Sequence, residues 1–270
     1  MVSSDDFDQS LLGDDVFDFD EDMATRVVTG DSDIFEGVGV DDLFDEDAPA
    51  DASDPTEFGP PPGVEVVGFV GGVASGKTTL ARWFAHAQRW PLVEADEVAY
   101  RMLRDDGVVG ELRGLFGGSV FRATGSVDRR ALAGAARQLG PDGVKTFKKI
   151  TDEAVRAIFR DEVHAAASFR PRPDRILVDA PALLESGLGP LCTKLIFVET
   201  KESVRQGRAI RTRGWSLDEW KRREAVLWPL ERKRETADVV VAASTSVGQT
   251  GADVLGQLSG PPSRTATGAR

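Results

Sequence analysis

GGVASGKTT, residues 71–79, is the stretch of this chain that decides the fold. Its Gly71, Gly76, Lys77 and Thr78 occupy the fixed positions of the phosphate-binding pattern G-x-x-x-x-G-K-[ST]. Glycines there let backbone N–H groups point into one concavity, while the lysine reaches the β- and γ-phosphates and the hydroxyl suits Mg²⁺. The stretch therefore predicts a nucleoside triphosphate site. Its contacts would be Gly71, Gly72, Val73, Ala74, Ser75, Gly76, Lys77, Thr78 and Thr79.

The flanking segments supply the strand and the helix that such a loop needs. VEVVGFV (64–70) is apolar and β-branched, and TTLARWFAHAQ (78–88) has the spacing of a helix. One face of this helix would carry Leu80, Trp83, Phe84 and Ala87. Phosphate would then lie at the helix N-terminus, where unpaired amides and the macrodipole favour negative charge. The alternative is a glycine-rich turn without a ligand, which has no need of a lysine at that position.

The pattern beyond the loop predicts an α/β fold, a largely parallel sheet flanked by helices, over residues 64–257. The candidate strands are 64–70, WPLVEAD (90–96), RILVDA (175–180), KLIFVE (194–199) and DVVVAA (238–243). Residues 97–172 show only helical patterns and would form an insertion. Residues 201–233 are helical and arginine-rich and are predicted to form a lid.

Charge separates the N-terminal part from the rest. Residues 1–60 contain 20 acidic residues and one basic residue, Arg26, a formal charge of −19. The chain has 45 acidic and 33 basic residues in all, so the other 210 carry 25 and 32, a charge of +7. Residues 1–60 are predicted to be a disordered tail, either solvated or docking on a partner or on the basic core. Residues 258–270 are predicted to be a disordered end.

Composition excludes several classes of protein. One cysteine, Cys192, forbids an internal disulfide bond and fits a reducing cytoplasm, and with two histidines it gives no support to a zinc site. No apolar run reaches the length of a membrane span, and no run of basic residues interleaved with aromatics indicates nucleic-acid binding. We expect a cytoplasmic protein with a polyanionic small-molecule ligand.

Two aspartates follow apolar strand-like runs. Asp96 ends LVEAD and Asp179 ends ILVD. Ligands of open parallel sheets bind beyond the carboxyl ends of the strands, where an aspartate commonly orders Mg²⁺ or its water ligands. The alternative is that either aspartate is only the N-cap of the following helix.

The arginine-rich segment supplies cations for a triphosphate. Its arginines are Arg205, Arg208, Arg211, Arg213, Arg222, Arg223, Arg232 and Arg234. Planar guanidinium donors match phosphate oxygens, so one or two are expected on phosphate, with Arg211 and Arg213 as the catalytic candidates. The others are expected to pair with acidic neighbours. Those neighbours are Glu202, Asp218, Glu219, Glu224 and Glu231.

With these motifs in order, the chain resembles the dephospho-CoA kinases, ATP-dependent enzymes that phosphorylate the ribose 3′-hydroxyl of dephospho-CoA to give coenzyme A. The resemblance spans roughly residues 64–257. The matching blocks are GFVGGVASGKTTLA, VEADEVA, GSVDRRAL, VDAPALLE, RTRGWSLDEWKRRE and WPLERKRETADVVV. Other small-molecule kinases share the first block but lack this series.

The resemblance implies a role for each matching residue. Gly71 to Thr79 would bind ATP, and Lys77 would act on its phosphates. Asp96 would face the ribose hydroxyl, first orienting it and secondarily acting as general base. Arg129 would contact the acceptor within the helical insertion, and Asp179 would join Thr78 near Mg²⁺.

The chain also departs from the family pattern on the acceptor side. The differing positions are Glu94, Tyr100, Asp152, Glu153, Leu227 and Ala243. They leave two further hypotheses open beside dephospho-CoA phosphorylation. One is a kinase of another nucleotide or small hydroxylated metabolite, and the other is a catalytically silent nucleotide-binding interaction protein. The presence of Asp96 and Asp179 together with an intact phosphate-binding loop argues against the silent binding protein.

Overall fold

A computed structural model describes residues 58–136, 138–243 and 246–258, with the backbone alone at residue 141. The predicted acidic tail (1–60) and C-terminal end (258–270) lie outside the described residues, except for 58–60 and 258. Phe58 packs against the hydrophobic core, so ordered packing begins before Val64.

Five parallel strands form one sheet in the order β2-β3-β1-β4-β5. The strands are β1 Glu65–Val70, β2 Leu92–Glu94, β3 Arg175–Asp179, β4 Lys194–Glu199 and β5 Val239–Ala242. The helices are α1 Lys77–Gln88, α2 Ala95–Met102, α3 Asp106–Phe116, α4 Arg129–Ala136, α5 Pro141–Ala167, α6 Glu202–Arg213, α7 Leu217–Ala225, α8 Leu230–Thr236 and α9 Val247–Leu258. A short 3₁₀ helix covers Gly189–Leu191. The α/β prediction is confirmed.

Each face of the sheet buries its own set of apolar side chains, since neighbouring residues of a strand point to opposite faces. Val66 and Val178 pack with Phe159 of α5 on one face. Phe69 and Phe84 of α1 pack on the other. The phosphate-binding loop follows the central strand and is therefore held from both sides.

The helical insertion has a core of its own. Met102, Leu112, Leu132 and Phe147, one from each of α2 to α5, are all buried in it. Helix α5 is about 40 Å long and serves both cores, because its first half carries Phe147 and its second half lies against the sheet. The insertion is thus fastened beside the carboxyl edge of the sheet.

Three details differ from the sequence predictions. β2 ends at Glu94, so Asp96 does not end a strand. Helix α2 starts directly at Ala95 and puts Asp96 and Glu97 in its first turn, where negative charge is favoured.

Helix α2 also ends earlier than the pattern suggested. The run predicted as helix beyond Met102 is interrupted by a turn, and α3 starts after its N-cap Asp105, which accepts a hydrogen bond from the backbone N–H of Val108 (3.0 Å). In α1 Ala87 is exposed and Ala81 is buried in its place. No helix in the described ranges is long and apolar enough to cross a membrane.

Candidate active site

The loop between β1 and α1 has the backbone shape that its glycines permit. Gly71 and Gly76 have φ values of 149° and 100°, which favour glycine. A Cβ on Gly71 would lie 2.9 Å from Ser75 Oγ and from the carbonyl oxygen of Val198. Gly76 is the N-cap of α1 and offers no side chain, so the first amides of the helix remain available for a ligand.

Lys77 lies folded over this loop. Its Nζ donates to the carbonyl oxygens of Gly72 (2.9 Å) and Gly71 (3.3 Å), and the side chain is buried. Burial lowers the pKa of Lys77 to about 8; Asp179 opposes this shift, while the positive charges of Lys233 and Arg213 add to it. Charges of both signs therefore surround Lys77, and its ammonium loses its proton at a lower pH than that of an exposed lysine.

Thr78 and Asp179 meet below the loop. The Thr78 hydroxyl donates to Asp179 Oδ2 at 2.6 Å, and the aspartate is 6% exposed. Burial raises the pKa of Asp179, because the charged form loses hydration. Its Oδ1 is buried and finds no hydrogen-bond partner among the described residues. A hydroxyl and a carboxylate that has one unpartnered oxygen are the kind of oxygen donors that Mg²⁺ takes.

Asp179 thus lies where the sequence predicted it, at the end of β3. Its partner is a side chain of the phosphate-binding loop rather than the backbone of a following helix, so it is not an N-cap. The register pairs Asp179 with Glu94 at the end of β2. Asp96, two residues beyond, is exposed and close enough for its charge to raise the pKa of both Glu94 and Asp179. The structure therefore joins Thr78 to Asp179 and places Asp96 near enough for its charge to act on Asp179.

The arginine-rich segment forms α6, α7 and α8, and its arginines make several kinds of contact. Arg205 and Arg208 reach the loop: Nη1 of Arg205 lies 3.4 Å from the Val73 carbonyl oxygen, and Nη1 of Arg208 donates to that of Ser75 (3.2 Å). Others pair with carboxylates. Arg222 and Arg223 pair with Glu219, and Arg205 pairs with Glu224, as predicted. Arg234 pairs with Glu199 at the end of β4, which is not one of the predicted partners.

Arg211 and Arg213, the predicted catalytic arginines, end α6 and are both exposed. The guanidinium of Arg213 lies 4.7 Å from the ring centre of Trp215, and its charge acts on Lys77. Arg213 is therefore near the loop. No described contact links Arg211 to it.

A buried ion pair lies near the loop, and no sequence pattern indicates it. Lys233 Nζ lies 2.7 Å from Glu185 Oε1, and both side chains are 2% exposed. The same carboxylate oxygen accepts the backbone N–H of Trp228 (2.8 Å). The pair joins the turn after β3 to the junction of α7 and α8, and Lys233 is near enough to lower the pKa of Lys77.

On the acceptor side, Arg129 begins α4 in the insertion. Its Nε is buried and has no hydrogen-bond partner in the described part of the chain. Among the positions that depart from the family pattern, Glu94 is paired with Arg82 (2.7 Å) and Tyr100 is 47% exposed beneath the guanidinium of Arg104. Burial raises the pKa of Asp152 to about 6.

The other three departures are placed without polar contacts that explain them. Leu227 is half-buried before Trp228, Glu153 is exposed on α5, and Ala243 packs at the edge of the core near α9. Nothing in the structure explains these three substitutions.

A parallel sheet with a glycine-rich loop after its central strand, a loop lysine, and a threonine–aspartate pair at its carboxyl edge define a phosphate-loop kinase of the nucleoside-monophosphate-kinase type. Comparison with known proteins narrows this class. The sequence model of the dephospho-CoA kinase family matches residues 65–249. The chain belongs to the dephospho-CoA kinase family, whose members are ATP-dependent phosphotransferases.

Individual relatives agree with this assignment. The dephospho-CoA kinase of Rhodopirellula baltica is 32% identical over 189 residues, which is 68% of this chain and 84% of the relative. That of Anaeromyxobacter dehalogenans is 34% identical over 181 residues, covering 66% and 83%. A crystal structure from Thermus thermophilus superposes with a TM-score of 0.59 at 26% identity, over 73% of this chain and 99% of that one. The dephospho-CoA kinase of Campylobacter jejuni, 18% identical with a TM-score of 0.50 over 72% and 97%, shares the fold.

Proposed function

We propose that this protein transfers the γ-phosphate of ATP to the ribose 3′-hydroxyl of dephospho-CoA and releases ADP and coenzyme A. The observation that carries the proposal is the meeting of Thr78 and Asp179 below a loop whose amides and lysine suit a triphosphate. Family membership supplies the acceptor. We also propose a cytoplasmic location, in keeping with a single cysteine and an intracellular substrate.

The donor half of the reaction rests on residues 71–79. The free amides at the start of α1 would bind the phosphates, and Lys77 would exchange the carbonyl oxygens of Gly71 and Gly72 for phosphate oxygens. Mg²⁺ held by Thr78 and, directly or through water, by Asp179 would neutralise charge on the β- and γ-phosphates. Arg213 is the lid arginine that we assign to the developing charge, because its field already reaches Lys77.

The acceptor half rests on Asp96 and Arg129. In the transfer, the ribose 3′-oxygen bonds to the γ-phosphorus while the bond from phosphorus to the bridging oxygen breaks and ADP leaves. The hydroxyl proton passes to Asp96 or to solvent. Since this proton leaves late in a loose transition state, alignment of the hydroxyl supplies most of the gain, and Asp96 acts first by orientation. The unpartnered Nε of Arg129 would bind an anionic or hydroxyl group of the acceptor.

A coupled ADP-release assay tests the proposal. Purified protein is supplied with ATP, Mg²⁺ and one acceptor at a time: dephospho-CoA, adenosine, AMP or a small sugar. We expect turnover well above background with dephospho-CoA and its loss in Lys77→Ala. Turnover with a different acceptor alone would contradict the assignment, and ATP binding without turnover on any acceptor would favour a silent binding protein.

A further inference from the structure

Two helices of the arginine-rich segment, α6 and α7, make hydrogen bonds to the backbone of the phosphate-binding loop. Glu224 of α7 accepts the backbone N–H of Val73 at Oε2 (2.8 Å), and its Oε1 accepts Arg205 Nη1 of α6 at 2.5 Å. The same Nη1 lies 3.4 Å from the carbonyl oxygen of Val73. Both backbone polar groups of Val73, its N–H and its carbonyl oxygen, are therefore engaged by an ion pair that links two helices.

The surroundings of this pair leave it little freedom. Arg205 is 3% exposed, its Nε donates to the carbonyl oxygen of Thr200 (3.2 Å), and its guanidinium lies 5.2 Å from the ring centre of Trp220. The Thr200 hydroxyl in turn donates to the carbonyl oxygen of Ser75 (2.8 Å). A buried guanidinium that loses its carboxylate would be left without compensating charge, so Arg205 depends on Glu224 for its position.

The ion pair between Arg205 and Glu224 also lies close to the Cα of Gly72. A Cβ on this residue would lie 2.3 Å from Arg205 Nη1, 2.6 Å from Arg205 Cζ and 2.9 Å from Glu224 Oε1. Gly72 does not have a positive φ, so the need for glycine here comes from the ion pair itself. Glycine at position 72 therefore leaves the space that the side chains of Arg205 and Glu224 occupy.

We propose that Arg205 and Glu224 are positioning residues that fix residues 72–75 of the loop in the shape that binds ATP. The pair links the docking of α6 and α7 to nucleotide affinity. This inference rests on the nucleotide half of the proposed function and does not depend on the acceptor. Because its first effect is on the loop, the pair should govern ATP binding and leave acceptor binding nearly unchanged.

Isothermal titration calorimetry with Mg²⁺-ATP tests this, in the full chain and without an acceptor. Glu224→Ala removes the partner of Val73 N–H and of Arg205, and we expect the Kd for ATP to rise about tenfold or more, the range for loss of a charge-assisted hydrogen bond. Glu224→Gln keeps an oxygen for Val73 but not the ion pair, and we expect a rise of about threefold. Glu219→Ala on the same helix, whose partners are Arg222 and Arg223, is the matched control and should stay within about twofold of the unaltered protein.

A double variant separates positioning from folding. Arg205→Met with Glu224→Ala removes both charges, so thermal stability should return toward that of the unaltered protein while the ATP Kd stays raised. In turnover assays the KM for ATP should rise in all three variants, with the KM for dephospho-CoA within about threefold. If Glu224→Ala does not fold, the Glu224→Gln and double variants decide.

The result that overturns the inference is an ATP Kd within about twofold of the unaltered protein in variants that fold, or an equal loss in Glu219→Ala. Recovery of ATP affinity together with stability in the double variant would also overturn it. If dephospho-CoA is not a substrate but these shifts in ATP affinity occur, the acceptor assignment fails and the positioning role stands. Failure of the unaltered protein to bind ATP would contradict both the proposed function and the positioning role.

Discussion

Removal of one partner of the buried ion pair between Lys233 and Glu185 should be among the most destabilising single substitutions in the described part of the chain. Both side chains are 2% exposed at a separation of 2.7 Å, and the Glu185 carboxylate also accepts Trp228 N–H. Lys233→Met leaves a buried carboxylate without its cation, so we expect the free energy of unfolding to fall by about 3–5 kcal/mol. A domain of ordinary stability, about 5–15 kcal/mol, would lose a large share of its reserve.

A substitution of Glu185 and a double substitution test whether the loss of stability comes from the ion pair. Glu185→Gln keeps an oxygen for Trp228 N–H but strands Lys233, and we expect a loss of about 2–4 kcal/mol. The double variant, Lys233→Met with Glu185→Gln, carries no buried charge and should lie within about 2 kcal/mol of the unaltered protein. Its loss would then be several kcal/mol smaller than the sum of the two single losses, and that difference is the coupling energy expected of two residues in direct contact.

Urea unfolding followed by tryptophan fluorescence at pH 7.5 measures all three variants. Arg222→Ala, which breaks an exposed pair on α7, is the control and should change stability by less than about 1 kcal/mol. A loss below about 1 kcal/mol in Lys233→Met, or losses that simply add in the double variant, would refute the reasoning.

Three further predictions concern the site and its surroundings. The pKa of Lys77 is about 8, so ATP affinity should fall by roughly tenfold per pH unit above that value, because binding needs the ammonium that the free protein then loses; a flat calorimetric profile up to about pH 9.5 would contradict this. Asp179→Asn should lower kcat by about 100-fold and raise the Mg²⁺ concentration for half-maximal rate, whereas an unchanged Mg²⁺ dependence would remove Asp179 from the metal. Burial raises the pKa of Asp152 from 3.8 to about 6, so its ionisation costs the folded state stability as pH rises between those values. Asp152→Asn should therefore stabilise the protein by about 2–3 kcal/mol more at pH 8 than at pH 4, in denaturant titrations. An equal effect at both pH values would show that the carboxyl is not responsible.

The strands could be predicted from the sequence because each is a short run of apolar, β-branched residues, which the two faces of a covered parallel sheet require. β2 was predicted too long because no glycine, proline or other turn residue separates it from α2. The segment Glu94–Asp96 fits either structure, and the first turn of a helix gives the negative charge of Asp96 a favourable place.

The donor side of the site was predicted residue by residue because the pattern at 71–79 is contiguous and each position has one physical role. The contacts that hold the loop were not. Glu224 and Val73 are 151 residues apart in the sequence, and Glu185 meets Lys233 only after β3 and α8 are folded together. A segment rich in arginine is expected to be exposed to solvent. The residues next to Arg205 and Lys233 in the sequence give no sign that these two side chains are buried.

The most direct test of the account is ³¹P NMR of a reaction that contains the protein, Mg²⁺-ATP and dephospho-CoA. We predict a new phosphomonoester resonance from the ribose 3′-phosphate, growing in equal amount with ADP and absent with Lys77→Ala. ADP that accumulates with inorganic phosphate alone, or no consumption of dephospho-CoA while ATP is bound, would contradict the claim that this chain makes coenzyme A.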